Sequence, residues 1–207
     1  MTRVILVRHG QTEWNREERF RGQIDVPLNE TGLWQAEQTA KAIKRKYSIS
    51  AIYSSPLSRA TRTAEAIGRA VGVPVQPHAG VTEFNYGEWE GKTPQEVAVA
   101  YPDLYHLWLT QPHLVRIPGG DGVTQFRLRV AAAVDGIVAE HPTEDVVLVV
   151  HRMVGRALAS HLLTQSDLCI PRLELNTGSI SLFERTEEGW TTMLLNDTCH
   201  LEASPAN

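Results

Sequence analysis

The chain has 207 residues, of which 42% are hydrophobic and 21% charged, and its formal net charge is −4. These values suit one folded domain with ample core, and they lack the strongly basic balance of a nucleic-acid binder. Cys169 and Cys199 stand far apart and fit no CxxC pattern, which argues against a disulfide framework or a zinc site. The apolar run before Arg8 is only four residues long, and no stretch approaches the roughly 20 needed to cross a bilayer. The expected address is a reducing cytoplasm, with no membrane or nucleic-acid partner.

In chain order, Val4-Ile5-Leu6-Val7 reads as a buried strand, Arg3–Val7, too short for a helix. It delivers Arg8-His9-Gly10-Gln11-Thr12 to the carboxyl end of a sheet, where α/β folds hold ligands. Gly10 permits close approach, and Arg8 can grip an oxyanion with two parallel hydrogen bonds. Phosphate is the natural client, with His9 either binding or attacking it. The apolar spacing of Ala36, Ala40, Ile43 and Tyr47 predicts a helix over Trp34–Tyr47. A strand Ala51–Ser54 then leads through Ser55-Pro56-Leu57 into a helix over Ser58–Val71, with Arg59 in its first turn. A strand over Val73–Gln76 follows.

From about Thr82 to Val123 the rhythm breaks. Glu83 opens a segment holding Phe84, Tyr86, Trp89, Tyr101, Tyr105 and Trp108, with Pro102, Pro112 and Pro118 as punctuation. It reads as an insertion of short helical pieces that caps the sheet's carboxyl end and shapes a pocket. A helix over Thr124–Glu140 precedes the strongest strand, Val146–Val150, which delivers His151 as the first strand delivers Arg8 and His9. A helix over Val154–Leu163 and a hairpin of Ser179–Arg185 with Thr191–Leu195 complete the chain. The expected architecture is a single three-layer α/β domain spanning 1–207. It has a mostly parallel central sheet, helices on both faces, an antiparallel edge hairpin and an aromatic-rich cap over about 82–123.

Arg8-His9-Gly10-Gln11-Thr12, followed by Trp14-Asn15, Gly22, Pro27-Leu28-Asn29 and Gly32, resembles the histidine phosphatase superfamily, also called phosphoglycerate-mutase-like. Ser54-Ser55-Pro56-Leu57-Ser58-Arg59-Ala60, Glu83 with Gly87-Glu88-Trp89-Glu90-Gly91, and His151 extend the resemblance in the family's order, over about Arg3 to Ser181. The resemblance implies that His9 is the nucleophile that becomes a phosphohistidine. It implies that Arg8, Arg59 and His151 hold the phosphate oxygens with help from Asn15, and that Glu83 donates a proton to the leaving alkoxide. Arg21, Gly22 and Gln23 fall where relatives approach substrate.

The residues alone are consistent with this chemistry. A covalent intermediate divides a slow hydrolysis into two transfers, and two arginines with a protonated His151 stabilise the equatorial oxygens. His9 has to be neutral at the attacking nitrogen, with the other nitrogen tied to a backbone carbonyl. No cofactor is implied. The remaining histidines, His78, His106, His113, His141, His161 and His200, lack HxH, HxxxH or HExxH spacing, so no metal site is expected.

One departure stands out. The family usually has Ser before the second histidine and Gly-Gly or Gly-aliphatic after it, where this chain has Val150, Arg152 and Met153. Arg152 is long enough to reach the substrate or to pair with an acid such as Asp121. The expected function is a metal-independent phosphomonoesterase acting on small-molecule phosphate esters, an acid-type histidine phosphatase. The alternatives are a phosphoglycerate-mutase-type phosphotransferase and a non-catalytic phosphoester-binding protein. The edge hairpin permits a homodimer.

Overall fold

Six strands form one sheet in the order β3-β2-β4-β1-β5-β6 in the computed structural model, which describes residues 1–163 and 173–202. The strands are β1 (Arg3–Arg8), β2 (Ile49–Ser54), β3 (Val75–Pro77), β4 (Asp145–Val150), β5 (Ile180–Thr186) and β6 (Gly189–Asp197). β1, β2, β3 and β4 pair in parallel, while β5 runs antiparallel to both β1 and β6. The central strands β1 and β4 are buried on both faces, as their unbroken aliphatic runs require. Their register sets Arg8 opposite Val150, so His9 and His151 emerge side by side from the sheet's carboxyl edge.

Helices cover both faces. α2 (Glu30–Lys46) and α3 (Ser58–Val71) pack against one face with Ala40, Ile43, Ala64 and Ile67. α6 (Val123–Glu140) and α7 (Arg152–Leu162) pack against the other with Val130, Val134, Val154 and Leu158. α2 begins before the spacing-based start at Trp34, because Asn29 caps Gly32 N–H at 2.9 Å. α7 begins at Arg152 rather than Val154, with His151 itself at the N-cap. A four-residue helix, α1 (Glu13–Arg16), was not foreseen. Asn15 accepts from Thr12 N–H at 2.9 Å and closes its first turn.

The cap is helical where prolines start turns rather than break them. Pro94 and Pro102 open α4 (Pro94–Ala100) and α5 (Pro102–Thr110), where a missing N–H costs nothing. Phe84 and Trp89 are fully buried in the same core as α6 and β4, so the insertion is continuous with the domain. Trp108 packs edge-on against Tyr86 at 5.8 Å and borders the cleft described below. Among the described residues no helix is long and apolar enough to cross a membrane. Cys169 lies outside the described residues.

Candidate active site

The loop after β1 is locked by the start of α2. Gln11 N–H donates to Gln35 Oε1 at 2.8 Å, Asn29 N–H donates to Gln11 O at 3.0 Å, and Asn29 Nδ2 donates to Gln11 Oε1 at 2.9 Å. The two backbones approach so closely that a Cβ on Gly10 would sit 2.3 Å from Gly32 O. Gly10 N–H also donates to Thr63 Oγ1 at 3.1 Å, which ties the loop to α3. The loop that carries His9 is thus tied to both α2 and α3.

Its ring is set as well. His9 Nδ1 lies 2.7 Å from Gly10 O, and a carbonyl only accepts, so the proton sits on Nδ1 and Nε2 keeps its lone pair. The His151 ring stands 5.0 Å away, centroid to centroid, at 61°. Arg59 Nε donates to His151 Nδ1 at 3.3 Å, which leaves the His151 proton on Nε2, buried and without a hydrogen-bond partner. The other Arg59 nitrogens donate to Gly22 O at 2.7 Å and Ile24 O at 2.8 Å. Gly22 adopts φ +52°, a conformation that glycine tolerates, and this turns its carbonyl to the guanidinium. Arg8 donates through Nη1 to Leu175 O, while its Nε is buried and unpartnered.

Glu83 completes the floor. One carboxylate oxygen accepts from Phe84 N–H at 2.9 Å, and the other from Met153 N–H at 3.3 Å in the first turn of α7. The cap and the second-histidine helix therefore meet on this side chain.

Burial dominates the electrostatics. It pushes Arg8 down to about 9, helped by the neighbouring cations Arg21 and Arg152, and Arg59 down to about 10. Both remain cations at neutral pH, desolvated and crowded, a setting that favours an incoming anion. His9 lies well below the ordinary imidazole range because of burial, then His151, Arg59 and Arg8. His151 is lowered in the same way by burial and then by Arg59, Arg8 and Arg21. Burial, and Arg59 donating to Nδ1, leave His151 neutral in the free site with Nε2–H as a donor, whereas the protonated His151 expected from sequence is the form that faces a phosphoryl group.

Above this floor opens a cleft of about 740 Å³, lined by Arg8 and Glu83 but not by the more deeply buried His9, Arg59 and His151. Asn15, Arg21, Gly22 and Arg152 line it, but Gln23 does not. The Gln23 side chain is committed to Glu83 O at 3.1 Å, and its N–H to Glu90 Oε1 at 2.8 Å. Asn15 spends its carbonyl oxygen on Thr12, and Arg21 donates to Trp14 O at 3.0 Å. Arg152 pairs with Glu174 at 3.2 Å and not with Asp121, which lies 3.7 Å from Arg129. Sequence reasoning missed Arg156 and Glu174. Arg156 follows Arg152 by one helical turn on the same face, a signal that spacing could have supplied. Phe20, Tyr86 and Trp108 add an apolar wall. Among the described residues no group of three or more His, Cys, Asp or Glu side chains could hold a metal ion.

The family model for the histidine phosphatase superfamily (branch 1) matches residues 4–198. The chain is similar to phosphoserine phosphatase 1 of Hydrogenobacter thermophilus, 32% identical over 201 residues, 97% of this chain and 95% of that one. It is also similar to the solved structure of Bacillus stearothermophilus YhfR, with TM-score 0.90 and 28% identity over 98% of this chain and 100% of that one. A mutant phosphoserine phosphatase from Entamoeba histolytica, in complex with phosphoserine, gives TM-score 0.88 and 28% identity over 97% and 100%.

Proposed function

The chain belongs to the histidine phosphatase superfamily, and on that premise we propose that it is a metal-independent phosphomonoesterase acting on small-molecule phosphate esters. Membership and the phosphatase relatives support phosphatase activity as such. The observation that carries the finer reading is the His9 tautomer: Nδ1–H tied to Gly10 O, and Nε2 unprotonated, with the buried Arg59 and Arg8 acting on the ring.

In this reading His9 Nε2 attacks phosphorus as the bond to the leaving oxygen breaks, and a phosphohistidine forms. Glu83 gives its proton to the departing alkoxide, then takes one from the water that attacks phosphorus and breaks the P–N bond. Arg8, Arg59 and the His151 Nε2–H hold the three equatorial oxygens, whose charge they stabilise without reorganising. The start of α7 adds its positive dipole end beside His151.

The test is hydrolysis of 4-nitrophenyl phosphate in EDTA by wild type and His9→Ala, with a denaturing quench to trap acid-labile phosphoenzyme. Turnover and trapped phosphate in the wild type alone are expected. Wild type that binds phosphate without turnover would refute the proposal, and transfer to an acceptor alcohol in preference to water would make it a phosphotransferase.

A further inference from the structure

The floor of the cleft accounts for a phosphate group, but arginines continue up the wall. Arg152 and Arg156 stand one turn apart on α7, and both meet a single carboxylate. Glu174 Oε2 lies 3.2 Å from Arg152 Nη2, and Glu174 Oε1 lies 3.7 Å from Arg156 Nη2. Leu173 O accepts from Arg156 Nε at 2.6 Å, and Leu175 O accepts from Arg8. Three consecutive residues thus engage three cleft arginines, two through backbone oxygens and one through its side chain.

These two kinds of contact differ. The backbone carbonyls cannot leave without moving the loop. The Glu174 side chain is 66% exposed, its Arg152 partner is 42% exposed, and ion pairs so placed contribute little stability. Arg152 is also incompletely satisfied, for its Nε is shielded from solvent and has no hydrogen-bond partner. A planar guanidinium with an unused edge favours a bidentate carboxylate. The group now facing it is itself a carboxylate, on a side chain free to swing into solvent.

We infer that Arg152 is a specificity-determining residue for a carboxylate on the leaving group, and that Glu174 occupies the place of that carboxylate until substrate displaces it. This rests on the phosphomonoesterase reading of the same site and narrows it to phosphate monoesters carrying a second, carboxylate anion. Arg156, buried and held by Leu173 O, adds charge behind Arg152. Phe20, Tyr86 and Trp108 supply the surface along which the carbon stem lies.

The experiment uses two matched pairs that differ in the charged group: 3-phosphoglycerate against glycerol 3-phosphate, and 4-carboxyphenyl phosphate against phenyl phosphate. Values of kcat/KM are compared for wild type, Arg152→Met, Arg152→Lys and Glu174→Gln. Wild type should prefer the carboxylate member of at least one pair. Arg152→Met should lower that preference about tenfold or more, mainly through KM, with partial recovery in Arg152→Lys. Glu174→Gln should raise the preference severalfold, because the substrate no longer competes with a resident carboxylate. This variant decides the matter alone if Arg152→Met does not fold.

No preference in either pair, or one that neither Arg152→Met nor Glu174→Gln moves, overturns the inference while leaving the phosphomonoesterase intact. Failure of wild type to hydrolyse any of the four esters overturns both.

Discussion

At the floor of the cleft, His9, Arg59 and His151 are each no more than 1% exposed, and their hydrogen bonds run to backbone carbonyls or to one another. At the rim, Arg152 and Glu174 are paired with each other, the arginine partly and the glutamate mostly exposed to solvent. The floor is rigid because moving any member strands a buried polar group, and it can do one kind of chemistry on one kind of group. The rim can change partners at little cost, so it can discriminate among substrates. In the proposed reading, a single cleft divides catalysis from selection by depth of burial.

The sharpest way to break this division is to remove Arg59. Its side chain makes three hydrogen bonds, to Gly22 O and His151 Nδ1 in the interior and to Ile24 O nearer the surface. Arg59→Ala strands those acceptors and opens a void. It should destabilise the fold by about 3–5 kcal/mol. It should also lower kcat by about 10²–10³-fold through lost charge stabilisation. Urea titration with steady-state kinetics checks both, and wild-type stability in the variant would mean that the floor is not the structural unit described.

Next in size is the backbone clamp. A Cβ on Gly32 would lie 2.0 Å from Gln11 O, so Gly32→Ala has to push the loop after β1 away from α2. Overpacking of this kind costs about 1–3 kcal/mol. A displacement near 1 Å at His9 should lower kcat about 10²-fold while KM for an aryl phosphate changes less. Loss of stability with unchanged kcat would show that His9 is positioned independently of α2.

How far the sequence discloses the molecule follows the same depth. The aliphatic runs Val4–Val7 and Val146–Val150 can bury both faces of a strand, so β1, β4 and the paired histidines at their ends were legible. Ala60, Ala64 and Ile67 gave α3 its full extent in the same way. Helix starts were less legible, because Asn29 caps a first turn containing Thr31 and Gly32, poor helix formers both. α1 went unread because four residues carry no periodicity. The neutral resting form of His151 is not legible, since no local pattern reveals that Arg59, distant in sequence, donates to its Nδ1 in the interior. Glu174 lies beyond local reading altogether: its meaning depends on a loop crossing to the far end of α7.

A pH experiment separates floor from rim more finely. The folded-state values of His9 and His151 lie well below 6.5, so the native protein resists protons that the unfolded chain accepts. Their contribution is complete above the unfolded value near 6.5 and is lost as pH falls below it towards the folded values, at up to about 1.4 kcal/mol per pH unit for each ring. Urea unfolding at pH 7.5 and 5.5 should show a steeper loss for wild type than for His151→Gln. In the same range ¹⁵N NMR should show both rings neutral. Equal losses, or a ring titrating near 6.5, would contradict the buried, cation-crowded floor.

The smallest effect is expected where the rim touches stability. If the Arg152–Glu174 pair serves selection rather than folding, breaking it should leave the protein nearly as stable as before. Exposed pairs contribute about 0–1 kcal/mol, and Arg152→Ala and Glu174→Gln should each fall within that range by urea unfolding. The double variant should show a coupling of at most about 0.5 kcal/mol, at the low end for residues in contact. Arg156 supplies the contrast on the same helix. It is 7% exposed and its Nε is tied to Leu173 O, so Arg156→Ala should cost more than either rim substitution although it lies one turn away. A large coupling between Arg152 and Glu174 would make their pair a structural strap, and would move the boundary between floor and rim outward to the mouth of the cleft.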